Sequence, residues 1–437
     1  MRIAFVRPSM GQQRSSDALQ PLIFSIIKAL TPAEVEIEFH DGLLRPIPLD
    51  LTVDALALSV DSFSAKAAYA LADGYRSRGV PVIMGGFHPS LLPEEAAEHA
   101  DAVVIGEAED TWAPLLGDLA QGRLQPRYRS TNTAELTLIG DDTAFDAADY
   151  PPLGLVQFSR GCRYACDFCS IHAFYGSGVR TKPVAVVIEE VRRRPEKVLF
   201  FVDDNLFTDL IRARELFTAL RGLDKRWVCQ ISMDAAADPD LLNLMREAGC
   251  IMVLIGFESL DEHNLTQMGK GPNLKRSGYT EVLATIAAAG LMVYGTFVIG
   301  YDSDTANTGT DLVDFATRNG FAIANFNPLM PMPGTRLFGR LAAQNRLRHD
   351  RWWLADDFRY GDAMFTPAQM SAEDLKVTCR RARFQFYSLA SITGRLLHRA
   401  NSRPGHLGIY LMGNVVSRRE IHAKQGRQLG LNPAGAS

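Results

Sequence analysis

Three of the chain's six cysteines lie within eight residues, in the stretch Ser159-Arg160-Gly161-Cys162-Arg163-Tyr164-Ala165-Cys166-Asp167-Phe168-Cys169. Spacings of four and then three let one loop wrap three thiolates around a single inorganic centre. The number of ligands is informative. A structural zinc or an electron-transfer cluster is normally closed by a fourth protein ligand, whereas a catalytic centre keeps one position open. A zinc knuckle closed by His172, three residues after Cys169, is the competing reading of this spacing. Cys229, Cys250 and Cys379 stand singly among apolar neighbours and read as small buried hydrophobes. A reduced set of thiols is therefore expected, not a disulfide framework.

The sequence before this loop alternates short apolar runs with helical periodicity. Arg2 to Arg7, Val35 to His40, Ala55 to Val60, Val80 to Met84 and Ala102 to Ile105 read as strands, and Asp17 to Leu30, Ser64 to Arg78 and Pro93 to His99 as helices. The pattern predicts a flavodoxin-like, Rossmann-type α/β domain over residues 1–122, with ligands at the carboxyl ends of its parallel strands. The loops there contain Ser9, Ser62, the pair Gly85-Gly86 with His88, and Gly106 in Gly-Glu-Ala-Glu. Residues 123–152 lose periodicity and read as a connector.

Six further strand-like segments follow over 153–340, each spaced to leave room for a helix: Leu155 to Ser159, Val198 to Asp203, Val228 to Met233, Met252 to Phe257, Met292 to Ile299 and Ala322 to Asn327. They predict a partial (βα)6 version of the eight-stranded barrel, whose chemistry sits at the carboxyl ends of its strands. The cysteine loop follows the first strand. Asp203-Asp204-Asn205, then Ser232 and Asp234, then Glu258, then Gly300 follow later ones. Asp203 has a competing reading as a helix cap.

A chain of 437 residues is too long for one core, and 341–437 reads as a mostly helical tail. In it, Ser371-Ala372-Glu373-Asp374 resembles a capping box that opens a long helix with Leu375, Phe384 and Tyr387 on its core face. Ser391 to Arg399 and Ile409 to Arg419 read as helices with interleaved basic residues, and Arg427 to Ser437 as a frayed end. A solvated helix face fits that charge pattern; contact with a membrane or a lipid substrate is the alternative. A net charge of -4 gives no reason to expect nucleic acid, and no apolar run is long enough to span a membrane. With Arg2 to Arg7 strand-like from the start, a cytoplasmic location is expected.

The cysteine spacing, with Phe168 just before the last cysteine, resembles the radical S-adenosylmethionine superfamily. The resemblance implies a 4Fe-4S cluster held by Cys162, Cys166 and Cys169, with S-adenosylmethionine chelating the fourth iron. It also implies a 5'-deoxyadenosyl radical and an external one-electron reductant of flavodoxin or ferredoxin type. Glu258, Asp203, Asp204, Asn205, Ser232 and Gly300 then become cofactor-binding candidates, with Gly300 beside adenine. The first domain is similar to the cobalamin-binding domain of one large branch, through Gly-Gly-x-His-Pro at 85–89 and Gly-Glu-Ala-Glu at 106–109. On that resemblance Ser9, Ser62, Gly85, Gly86, His88 and Gly106 are cofactor-binding candidates. No Asp-x-His-x-x-Gly loop occurs, and Asp41-Gly42-Leu43-Leu44 stands after the second strand instead. The expected cobalamin is therefore base-off with no histidine on cobalt, and His88 a hydrogen-bonding loop residue.

The activity implied is methylation of an unactivated carbon in a small-molecule or lipid-like substrate. Other outcomes in the branch are ring formation, ring contraction and oxygen-independent oxidation. A first domain kept as scaffold without cobalamin, and a cluster- or cobalamin-binding sensor without turnover, are the remaining readings.

Overall fold

The computed structural model describes residues 1–427 apart from 12–13, 16–17, 132, 208 and 275–277. The amino-terminal sheet holds β1 (Arg2–Arg7), β2 (Glu36–Asp41), β3 (Ala55–Ser59), β4 (Val82–Gly85), β5 (Ala102–Ile105) and β6 (Arg127–Arg129) in the order β2-β1-β3-β4-β5-β6. All its pairings are parallel. Ile3 and Phe5 of β1 feed the apolar layer on one face, and Ala4 and Val6 the layer on the other. A strand buried on both faces must be apolar at successive positions, which is why these runs do not alternate with polar residues.

The sequence reading missed helix Trp112–Ala120 and placed no strand in the connector, yet β6 pairs with β5 there. Three residues are too few for a periodic signal. Asp141 and Asp146 cap short turns at Asp142–Ala144 and Ala147–Asp149 in the same stretch. The helix expected from Asp17 runs Leu22–Leu30, and Asp17 lies outside the described residues, as do 428–437.

The second sheet begins with β7 (Leu153–Val156). A short antiparallel pair, β8 (Ser159–Arg160) with β9 (Arg180–Thr181), then frames the cysteine loop. It continues with β10 (Val198–Phe201), β11 (Arg226–Ile231), β12 (Cys250–Glu258), β13 (Met292–Ile299) and β14 (Ile323–Pro328), in the order β14-β13-β12-β11-β10-β7. All its pairings are parallel, and β14 and β7 are the two edges, so the sheet is an open half-barrel. Its helices start where capping residues say they should. Asp209 accepts from Ile211 and Arg212 backbone N–H, and Asp238 precedes Pro239 at a helix start.

The tail divides between the two domains. Ser371 and Asp374 form the expected capping box at helix Ala372–Phe386, with Leu375 and Tyr387 buried. Leu389–Leu396 and Leu407–Lys424 are also helical and lie against the barrel side. Trp352 and Trp353, by contrast, are buried in the core of the first domain. Trp353 Nε1 donates to Glu95 at 2.8 Å, and Trp352 Nε1 to the Pro331 carbonyl at 2.9 Å. The tail thus straps one domain to the other.

Candidate active site

The cysteine loop leaves β8 through Gly161, where φ is +85° and a Cβ would lie 2.0 Å from the Gly178 carbonyl oxygen; no other residue fits that crossing. Asp204 accepts from Gly161 N–H at 3.0 Å. Asp167 pins the far side of the loop. Its backbone N–H donates to Met268 O and its carbonyl accepts from Leu337 N–H, while its carboxylate accepts from Tyr301 Oη at 2.5 Å and Arg340 at 2.9 Å.

Cys162, Cys166 and Cys169 line one cavity of about 180 Å³ with Asp204, Asn205, Ser232, Gly256, Glu258 and Lys270. Burial pushes the Cys166 thiol up to about 11 and raises the Cys162 and Cys169 thiols as well. Iron must therefore displace their protons when it binds. Glu258 sits at φ +63° where the β12–β13 register shifts, a conformation costly for a side-chain-bearing residue and one that turns its carboxylate toward the cavity. Lys270 Nζ lies 3.0 Å from Glu258 Oε1. Burial works against the Lys270 charge, but Glu258 and Cys166 more than restore it and hold the ammonium protonated.

These residues fit an iron-sulfur cluster with a zwitterionic ligand. Asn205 and Ser232 put buried polar atoms on the wall of this cavity, Asn205 beside the Cys162 thiol and Ser232 beside the Asp234 carboxylate. Among the described residues no three His, Cys, Asp or Glu side chains converge on a single ion. His172, the fourth ligand of the zinc knuckle reading, is not among the residues that line the cavity with the three cysteines.

A second cavity, of about 350 Å³, lies between the domains. The first domain supplies Ser59, Gly85, Gly86, Gly106, Glu107 and Glu109 at strand ends, over an apolar floor including Phe5, Ile26, Ile27 and Trp112. The barrel supplies Gln157, Arg160, Phe174 and Tyr175. Phe87 and Phe174 stack loosely at 4.5 Å across this boundary. The glycines and the greasy floor suit a flat macrocycle with an appended nucleotide.

Several expected residues lie elsewhere. Ser62 and His88 are buried behind the cavity wall: His88 Nδ1 meets Ser62 Oγ at 3.0 Å, and Nε2 meets Tyr69 Oη and Glu95 at 3.1 Å. Both ring nitrogens are thus committed to the protein, and neither residue lines the cavity. Ser9 Oγ accepts from Gly11 N–H at 3.3 Å and is also off the wall.

Asp203 is a buried strut: it accepts from Phe158 N–H at 3.2 Å, Ser159 Oγ at 2.6 Å and the Ser159 N–H, so it holds β8 and does not face the cavity. Gly300 does not reach the cysteine cavity either. A Cβ there would lie 3.0 Å from Leu375 Cδ2 and Phe365 Cζ, so glycine serves the docking of the tail. Asp234 receives Arg163 at 2.5 Å and Tyr164 Oη at 2.8 Å.

The sequence reading missed Lys270, Arg160, Phe174 and Tyr175. Lys270 follows a helix and not a strand, so the strand-end rule passes over it. Tyr175 stands six residues after Cys169, a placement that only the helix Ser170–Tyr175 makes meaningful.

Residues 156–316 match the Radical SAM superfamily, and residues 48–116 match the B12 binding domain. Bacteriochlorophyllide d C-12(1)-methyltransferase of Chlorobaculum tepidum is 29% identical over 390 residues, 86% of this chain and 84% of that protein. Hopanoid C-2 methylase of Rhodopseudomonas palustris is 29% identical over 344 residues, 74% and 64% of the two chains. Among solved structures, the radical S-adenosylmethionine methyltransferase TsrM from Kitasatospora setae, with cobalamin and a 4Fe-4S cluster bound, superposes with a TM-score of 0.64. That likeness covers 97% of this chain and 99% of TsrM at 14% identity, and speaks for the fold. The chain thus carries a Radical SAM match over its half-barrel and a B12 binding domain match over the sheet ahead of it.

Proposed function

We propose that the protein is a cobalamin-dependent radical S-adenosylmethionine methyltransferase acting on an unactivated carbon of a biosynthetic small molecule or lipid-like compound. The observation that carries this reading is the helix Ser170–Tyr175. Cys169, at its start, lines the cysteine cavity, and Phe174 and Tyr175, at its end, line the interdomain cavity. Six residues rise only about 9 Å, so the two cavities are neighbours joined by one rigid piece of backbone.

An unactivated carbon has no acidic proton and no lone pair, so side-chain acids, bases and nucleophiles have no handle on it. When bound, the cluster, S-adenosylmethionine and corrinoid supply what is missing: one-electron cleavage of a sulfonium bond and a transferable methyl group. The chain's own residues hold and orient. Cys162, Cys166 and Cys169 would each give a thiolate to one iron, leaving the fourth open. Glu258 suits the methionyl ammonium and Lys270 the methionyl carboxylate, while Asn205 and Ser232 offer further polar atoms on the same wall.

Gly85, Gly86, Gly106 and Ser59 let the corrinoid lie close to backbone, with Phe174 and Tyr175 closing the cavity against water. No histidine lines that cavity, which supports a base-off corrinoid without a protein ligand on cobalt. An external flavodoxin- or ferredoxin-type donor would supply the electron. The relatives named as methyltransferases of a bacteriochlorophyllide and as a hopanoid methylase support methyl transfer to carbon.

The test is anaerobic reconstitution with iron, sulfide and hydroxocobalamin, followed by reduction with S-adenosylmethionine present. The expected result is one corrinoid per chain with a base-off spectrum, and 5'-deoxyadenosine whose formation needs all three cysteines. With substrate, S-adenosylhomocysteine should accumulate beside it. Deoxyadenosine alone would overturn methyl transfer, and failure to retain excess hydroxocobalamin would overturn the corrinoid assignment.

A further inference from the structure

Helix Leu407–Lys424 buries Tyr410, Asn414 and Ile421 yet leaves most of its large apolar side chains exposed. Its inner face carries Tyr410 and Asn414, both buried, with Asn414 Oδ1 accepting from buried Arg395 at 2.8 Å. Its outer face carries Leu407, Leu411, Met412, Val415 and Val416 over three turns, all exposed, Met412 to 61%. The same face then turns basic at Arg418, Arg419 and His422, also exposed. Twelve large apolar side chains are exposed among the described residues, and seven of them fall between Leu389 and Val416. That concentration marks one patch, since scattered apolar residues would be spread over the whole surface.

Charge names the occupant. Residues 375–427 present exposed Arg380, Arg381, Arg399, Arg418 and Arg419 and contain a single acid, Glu420, itself paired with Lys424, within a chain whose net charge is -4. A second copy meeting this face through a two-fold axis would set like charge against like, so the patch is a poor self-interface. An apolar strip followed by arginines instead matches the cross-section of an anionic lipid leaflet: acyl chains first, phosphates alongside. Among the described residues no helix is long and apolar enough to cross a membrane, so the contact is peripheral.

We propose that the outer face of helix Leu407–Lys424 docks the enzyme onto a bilayer surface rich in anionic lipid. The proposal is independent of the cofactor assignments. Cosedimentation of the full-length protein with vesicles of phosphatidylcholine containing about one third phosphatidylglycerol tests it. The expected result is binding to these vesicles, little binding to pure phosphatidylcholine, and release at high salt. Reversing the exposed charge of Arg419 with R419E should weaken partitioning by about fivefold or more. Replacing exposed apolar residues with L411S/M412S/V415S should do the same, with circular dichroism and iron content unchanged.

Three outcomes would overturn the proposal: no binding to anionic vesicles, equal binding by both variants, or light scattering that shows a dimer which the serine variant dissociates. If the serine variant misfolds, R419E still decides, because Arg419 is exposed and the variant leaves in place Arg418, which donates to the Tyr387 carbonyl at 2.6 Å.

Discussion

Arg160, two residues before the first cluster cysteine, donates to Glu107 Oε1 at 3.0 Å across the boundary between the two domains. Its other terminal nitrogen lies 2.6 Å from Glu109, and Arg180 also reaches Glu107. Both Arg160 contacts are buried or nearly so, while the Arg180 side chain is 24% exposed. The Gly-Glu-Ala-Glu turn is therefore both a wall of the interdomain cavity and the clamp that sets the two domains at a given distance.

Removing the cation strips nearly buried Glu109 of its partner and leaves buried Glu107 with Arg180 alone. Arg160→Ala should cost about 3–5 kcal/mol of unfolding free energy, read from denaturant midpoints. Arg160→Lys should recover only part of it, because an ammonium cannot serve both glutamates with a planar fork. A loss below about 1 kcal/mol would mean that solvent reaches the cluster of charges.

Glu258 and Lys270 form the charged pair in the cysteine cavity. Glu258→Gln should weaken S-adenosylmethionine binding by roughly ten- to a hundredfold, the worth of one charge-assisted hydrogen bond, without lowering iron content. Calorimetric titration of reconstituted protein measures the first, and iron and sulfide assay the second. Cys166→Ala should do the reverse, abolishing cluster retention.

Tyr175→Ala opens the wall of the interdomain cavity while leaving every cysteine in place. Corrinoid retention should fall by about tenfold or more, in line with the loss of a buried aromatic contact. Iron content should stay at the wild-type value. Loss of both together would show that the helix Ser170–Tyr175 had unfolded.

Burial raises the Asp203 carboxyl to about 7, opposed by the hydrogen bonds it accepts from Ser159 and Phe158 N–H. Because the folded protein then holds this proton more tightly than the unfolded chain, stability should fall as pH rises from about 4 to about 7 and level off above. Urea midpoints across that range measure the slope. Asp203→Asn, which cannot titrate, should flatten it.

Elements with strong local periodicity were legible: β1, β13 and the helix Pro93–His99 fall where the apolar pattern puts them. So was the cysteine loop, since three ligands within eight residues need no tertiary information to be neighbours. Strand-end polar residues were harder. Asp204, Asn205 and Glu258 face the cavity, while Asp203 turns back to hold Ser159 and Gly300 packs against the tail. His88 and Ser62 illustrate the same limit, since a loop in the right place can still turn its side chains into the protein.

The sequence by itself determined the class of chemistry and the architecture that carries it. Cysteine spacing is a local, covalent constraint, and two runs of strand-helix alternation leave few ways to bury their apolar faces. Only the tertiary structure decided which polar residues reach a ligand, where Lys270 and Tyr175 belong, and that Trp352 and Trp353 strap the tail to the first domain. Those facts rest on contacts between residues far apart in the chain, and long-range packing leaves no periodic trace in sequence.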